Sequence, residues 1–148
     1  KIVHFATHGI IDGRHPERSG ILLSLFDQSG RPQDGYLQLC DIRSLHLPAE
    51  LVVLSACTTA PSGDGPGPGL SGFVRSFMSA GSRRVAATLW KADDEATMAL
   101  IASFYRGLFE RGLTPPAALR AAQVELLTSG RWARPFYWAA FVLQGEWK

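Results

Sequence analysis

A histidine and a cysteine each follow a strand-like run, and together they have the chemistry of a base and a nucleophile. The run Ile2 to Phe5 leads into His8, and the largely apolar run at 51–56 leads into Cys57. Because the thiolate is the reactive form, a catalytic cysteine needs a neighbouring base, and imidazole accepts a proton near neutral pH. If the runs are neighbouring parallel strands, both side chains lie at the sheet edge where functional groups gather. The paired placement predicts a Cys–His dyad, although either residue alone is better explained by packing.

Gly9 directly follows the histidine and suits the same chemistry. A glycine lets the backbone turn sharply and brings its N–H close to a reacting oxygen. The sequence therefore predicts an oxyanion hole made of the backbone N–H groups of Gly9 and Cys57.

The elements that position these residues alternate between strands and helices. Strand-like runs lie at 1–7, 20–26, 36–38, 51–56, 83–90 and 138–145, and a helical turn or two at 39–45. An apolar stripe from Leu70 to Met78 predicts a helix that ends at Gly81. A second helix begins at the acids 93–95, with its apolar face at Met98, Ile101, Tyr105 and Leu108, and a third begins after Thr114. This order indicates an α/β domain with a mostly parallel sheet.

The composition is that of an ordinary globular domain and argues against several classes of function. The 148 residues are 46% hydrophobic and 19% charged, with a formal net charge of +2, which fits one domain over 1–148. Basic residues are scattered and balanced by acids, so no nucleic acid or membrane partner is expected. The longest apolar run, 138–143, is too short to cross a bilayer. Two cysteines are too few for a secreted disulfide scaffold, so free thiols and a cytoplasmic location are expected.

Several longer strings resemble CHAT domains, the caspase-like, separase-related domains of bacterial proteins. The strings are FATHG, LVVLSACTT, GLSGFVRSFMSAG, VAATLWKADDEATMALIASFYRGL and FYWAAFVLQGEW, in order over nearly the whole chain. The difference in position, 57 − 8, is 49, close to the caspase spacing of about 50. The resemblance implies a caspase-hemoglobinase-like fold and a thiol protease without a cofactor, with Cys57 as nucleophile and His8 as base.

The same resemblance implies a wider context. The fold of the family has strands before the strand that carries the histidine, and this chain begins within that strand and without Met. We therefore expect the C-terminal catalytic portion of a longer protein, lacking the first strands of the full domain. Such domains commonly follow helical repeats, so a protein or peptide substrate and a regulatory partner or repeat segment are expected.

Asp93 and Asp94 follow the strand-like run VAATLW. Related peptidases build the primary specificity pocket near the end of the matching strand. An acid there favours a basic residue before the scissile bond by charge pairing. Capping of the following helix explains the same two acids, and the sequence leaves both interpretations open.

Three alternatives compete with a peptidase. GPGLSG at 67–72 matches the G-x-G-x-x-G of dinucleotide-binding domains, with Asp93 near the position of a ribose-binding acid, but it begins about ten residues after the strand. His4 and His8 have the spacing of two metal ligands on a helix, yet they lie in a strand-like run without the accompanying glutamate. No metal site is therefore predicted. The last alternative is a caspase-like pseudo-enzyme that acts as a binding module.

Overall fold

The computed structural model describes residues 1–55, 57–59 and 69–147, and for 57–59 it describes the backbone. Within these ranges, the strands and helices follow the predicted order, with the short elements β2, β6 and α5 in addition. The strands are β1 (Ile2–Phe5), β2 (His8–Ile10), β3 (Gly20–Leu22), β4 (Tyr36–Gln38), β5 (Leu51–Leu54), β6 (Cys57–Thr59), β7 (Arg84–Thr88) and β8 (Phe141–Gly145). The helices are α1 (Leu39–Ser44), α2 (Gly69–Ser79), α3 (Asp94–Phe109), α4 (Pro115–Thr128) and α5 (Pro135–Trp138).

A mostly parallel central sheet has the strand order β1-β5-β7-β8. β1, β5 and β7 run parallel, and β8 is antiparallel to β7. β5 and β7 are buried along their whole length. This explains why β5 is continuously apolar rather than alternating, as expected for a strand covered on both faces. In β7 the apolar centre, 85–87, lies between the polar end residues Arg84 and Thr88.

Helices cover both faces of the central sheet and produce two hydrophobic cores. On one face, α1 and α2 pack against alternate residues of β5 and β7, among them Val52, Leu54 and Val85. On the other face, α3 and α4 pack against the intervening residues, such as Leu51 and Val53. The mixed α/β fold with a mostly parallel, helix-flanked sheet is the predicted fold class and is consistent with a caspase-like architecture.

A second sheet, which the sequence did not predict, continues from the central one. Its strand order is β4-β3-β2-β6, with β2 antiparallel to β3 and parallel to β6. Each of these strands has three residues. The runs predicted as single strands at 1–7 and 51–56 thus end early, at Phe5 and Leu54, and the chain forms a new strand shortly afterwards.

Helices α1 to α4 begin and end close to their predicted bounds, whereas the short helix α5 was not predicted. Gly81, expected as the stop after α2, has φ of 110°, the left-handed region that favours glycine. Three residues of the predicted α3 face are half-buried and pack against the core: Ile101, Tyr105 and Leu108. On the same helix, Met98 is 70% exposed, whereas Leu100 and Phe104 are buried. The core face of α3 is therefore rotated from the predicted one.

No helix among the described residues is both long and apolar enough to cross a membrane.

Candidate active site

Two neighbouring strands of the central sheet are each followed by a strand of the second sheet, and these two following strands carry the predicted dyad. β1 pairs with β5 in the central sheet, with Ile2 opposite Leu51, and β2 pairs with β6 in the second sheet, with His8 opposite Cys57. The difference in position between partners is 49 in both pairings, so the register is unchanged across the break. The spacing of the two predicted catalytic residues is therefore the register of two parallel strands.

His8 is the first residue of β2, and its side chain is exposed. The bend before it is held by Thr7, whose Oγ1 donates a hydrogen bond of 2.5 Å to the carbonyl oxygen of Leu22. Because Leu22 is the β3 partner of His8, this bond fixes the entry of the chain into the second sheet.

Gly9 does not form the sharp turn that we expected of it. It is the central, buried residue of β2, paired with Ile21 of β3 and Thr58 of β6, and it is not among the glycines of positive φ. The chain bends at Ala6 and Thr7 instead, before the histidine. Gly9 also lines a small apolar pocket between the two sheets, with Ile21, Leu54, Leu70, Phe73, Ala87 and Thr88.

Cys57 is the first residue of β6. Among the described residues, this strand is at the edge of the second sheet, next to β2. Its side chain lies outside the described part of the structure, and so do residues 60–68 of the loop predicted at 58–69. The other cysteine, Cys40, is a free, exposed thiol on α1, 3.7 Å from Oε1 of Gln38. It lies on a different element from the two predicted catalytic residues.

The two predicted substrate-binding acids have different surroundings. Asp93 is the N-cap of α3, and its Oδ1 accepts a 2.9 Å hydrogen bond from the backbone N–H of Ala96. Asp94 is the first residue of α3, exposed, and beyond the end of β7. Asp93 is thus engaged in capping, whereas the charge of Asp94 faces solvent.

A hydrogen-bonded cluster that sequence reasoning missed lies at the bend between the two sheets. His4 Nε2 lies 2.7 Å from Oγ of Ser55, and His4 Nδ1 lies 3.0 Å from the hydroxyl of Tyr105 on α3. Burial lowers the pKa of His4 and raises that of the Tyr105 phenol, because a partly desolvated site disfavours either charged form. We name these three residues the His4 cluster.

The His4 cluster accounts for His4 without a metal. Both ring nitrogens have hydroxyl partners, so His4 and His8 do not act as a ligand pair. Among the described residues, no group of three or more His, Cys, Asp or Glu side chains could hold a metal ion.

The two described glycines of GPGLSG do not have the setting of a dinucleotide site. Gly67 and Pro68 lie outside the described residues, and Gly69 and Gly72 are in the first turn of α2. A Cβ at Gly72 would lie 3.1 Å from Cδ1 of Leu39 on α1, so this glycine allows close packing between helices. The dinucleotide fingerprint needs close packing against the strand directly before the helix.

The comparison with known families agrees with this architecture. A family model described as the CHAT domain matches residues 1–146. The chain therefore belongs to the CHAT domain family, which lies within the caspase-like cysteine peptidase superfamily.

One curated relative is Tetratricopeptide repeat protein 28 of Homo sapiens, 33% identical over 114 residues. The match covers 77% of this chain and 4% of the relative, so the chain spans a small part of the length of that protein. Because the relative is human, domains of this type are not confined to the bacterial proteins that the sequence resembles.

Proposed function

We propose that this chain is a cysteine endopeptidase domain in which Cys57 is the nucleophile and His8 the general base. The observation that carries the proposal is the backbone register, which makes His8 and Cys57 direct partners on neighbouring parallel strands. Adjacent strands lie about 4.8 Å apart, a separation that two side chains can bridge with one hydrogen bond.

The reaction proceeds by acyl transfer. His8 removes the thiol proton of Cys57, and the thiolate attacks the carbonyl carbon of a peptide bond. The C–N bond breaks as the leaving amine takes the proton from His8, which leaves a thioester on Cys57. Water, deprotonated by His8, then hydrolyses the thioester and restores the thiol.

Backbone N–H groups of Gly9 and Cys57 are the proposed donors to the oxyanion of the tetrahedral intermediate. The burial of Gly9 within β2 supports a rigid position for its backbone. We assign no third catalytic residue, because the base is already fixed by the bend at Thr7 and by pairing with β3.

The proposed substrate is a protein or peptide with a basic residue before the scissile bond. Asp94 supports this assignment, because it is an exposed carboxylate beyond β7. A regulatory partner or attached repeat segment is proposed from the name of the relative, a tetratricopeptide repeat protein.

The test is peptide-library cleavage by the protein and three variants, with products identified by mass spectrometry. Cys57→Ala should lower the rate by at least about 10⁴-fold, because no covalent route remains. His8→Ala should lower it by about 10² to 10⁴-fold through loss of the base. Cys40→Ala, the matched control at the exposed thiol, should leave cleavage unchanged.

Cleavage that survives Cys57→Ala would overturn the assignment of the nucleophile. A folded protein that cleaves no peptide in any library would favour the binding-module alternative.

A further inference from the structure

The His4 cluster joins three parts of the fold close to the bend at Thr7, where the chain passes from the central sheet to the second sheet. His4 is in β1, Ser55 lies between β5 and β6, and Tyr105 is on α3. The three residues are distant in sequence, 51 positions between His4 and Ser55 and 101 between His4 and Tyr105. Their contact therefore ties together parts of the chain that no local structure connects.

Ser55 is held to β1 by both its backbone and its side chain. Its backbone N–H donates a 3.0 Å hydrogen bond to the carbonyl oxygen of Phe5, and its Oγ lies 2.7 Å from His4 Nε2. Because Ser55 follows β5 and stands two positions before Cys57, these bonds restrict the path of the chain into β6.

The imidazole is held in turn from α3. The Tyr105 hydroxyl lies 3.0 Å from His4 Nδ1, and the two rings are 5.7 Å apart between centroids with a 47° tilt. A neutral imidazole has one N–H donor and one acceptor nitrogen, and a hydroxyl can take either role. Both ring nitrogens are therefore satisfied in either tautomer, and the ring orientation is fixed from two sides.

We infer that His4 is a positioning residue, which through Ser55 fixes the approach of Cys57 to His8 at the bend between the two sheets. This inference rests on the proposed function, since it concerns the geometry of the proposed dyad. His4 itself does not touch the dyad in this assignment. A misplacement of about 1 Å caused by a mutation away from the reacting atoms can cost about 10²-fold in rate, so loss of the cluster should be visible in the chemistry.

The readout is the rate at which iodoacetamide alkylates Cys57, located by mass spectrometry in a Cys40→Ala background. It reports the reactivity of the thiol and requires no known substrate. His4→Phe keeps a ring and removes both hydrogen bonds, and Ser55→Ala removes one hydroxyl. Each should lower the rate by about tenfold to 10²-fold at pH 7.

Two further variants separate the loss of the hydrogen bond to Ser55 from the change in side-chain volume at His4. His4→Gln places an amide nitrogen near the position of Nε2 and can restore the bond to Ser55, so it should recover most of the rate. The double variant His4→Phe with Ser55→Ala should be alkylated no more slowly than the slower single variant, because both changes break the same hydrogen bond between His4 and Ser55. His46→Phe, at an exposed histidine after α1, is the matched control and should leave the rate unchanged.

Thermal unfolding of each variant is measured in parallel, and Ser55→Ala is the deciding variant if His4→Phe does not fold. Wild-type rates in folded His4→Phe and Ser55→Ala, or additive losses in the double variant, would overturn the inference. An alkylation rate that is also unaffected by His8→Ala would instead show that the dyad itself is wrong, so the two failures are distinguishable.

Discussion

At the residue scale, His4 shows how burial alone changes the ionisation of a side chain. Its ring lies between β1 and α3, with hydroxyl groups on both nitrogens. The desolvation lowers its pKa from the ordinary value of 6.5. The folded protein thus resists protonation at a position where the unfolded chain does not.

This residue predicts a pH dependence of stability. As the pH falls through about 6.5, the unfolded chain binds a proton at His4 before the folded chain does, so the free energy of unfolding decreases. The decrease continues until the pH reaches the lower folded pKa, and above about 7.5 the contribution is constant. Urea unfolding at pH 8 and at pH 5.5 measures the difference.

His4→Gln should reduce that difference, because a glutamine does not titrate. His46→Gln, at an exposed histidine, should leave it as in the wild type. An equal loss of stability between pH 8 and pH 5.5 in the wild type and in His4→Gln would contradict the role assigned to desolvation.

The pairing of the strands that carry His8 and Cys57 could be predicted from sequence, whereas the His4 cluster could not. His8 and Cys57 each follow a strand-like apolar run, and parallel strands bring such positions to one edge. Ser55 and Tyr105 carry no local signal, since each meets His4 only after the sheet and α3 have assembled. The spacing of His4 and His8 is that of two metal ligands on a helix. The hydrogen bonds of the His4 cluster explain the presence of His4 instead.

At the scale of the element, α3 begins at two acids that play different roles. The Asp93 side chain satisfies the backbone N–H of Ala96 in the first turn, and Asp94 contributes charge near the helix N-terminus. An N-cap hydrogen bond is worth about 1 kcal/mol. A surface charge interacting with the helix dipole is worth about 0.3–1 kcal/mol.

Asp93→Ala should therefore lower the free energy of unfolding by about 1 kcal/mol through loss of the cap. Asp94→Ala, the adjacent matched variant, should cost less than about 1 kcal/mol. In the library assay, Asp94→Ala should weaken the preference for Lys or Arg before the cleaved bond. Asp93→Ala should leave that preference unchanged.

Urea unfolding and product analysis give these two results separately. If Asp94→Ala still cuts after Lys and Arg with the wild-type preference, Asp94 has no role in specificity. If Asp93→Ala has the same free energy of unfolding as the wild type, the hydrogen bond between Asp93 and Ala96 does not stabilise α3.

The elements themselves were predictable to different degrees, for physical reasons. The apolar stripe and Gly81 define α2 because a helix that covers one face of a sheet needs one apolar side and a stop. The stripe through Met98 gave the face of α3 only in part, since the buried centre of that face lies at Leu100 and Phe104 while Met98 is exposed. The second sheet was missed because its strands β2 and β6 have three residues each, too few to show a periodicity, although β3 and β4 lie in the predicted runs 20–26 and 36–38.

At the scale of the whole molecule, the two sheets share one pair of strands in one register. The partner of Phe5 is Leu54 in the central sheet, and the partner of His8 is Cys57 in the second. The register of the two chain segments therefore does not slip between the sheets, which keeps two distant residues opposite each other. This unchanged register is the structural basis of the proposed dyad.

The most direct test of the dyad is the rate of iodoacetamide alkylation of Cys57 at pH 7, compared between the wild type and His8→Ala in a Cys40→Ala background. A paired imidazole raises the thiolate fraction, so alkylation should be at least about tenfold faster when His8 is present. Equal alkylation rates in two folded proteins would contradict the claim that His8 and Cys57 act together.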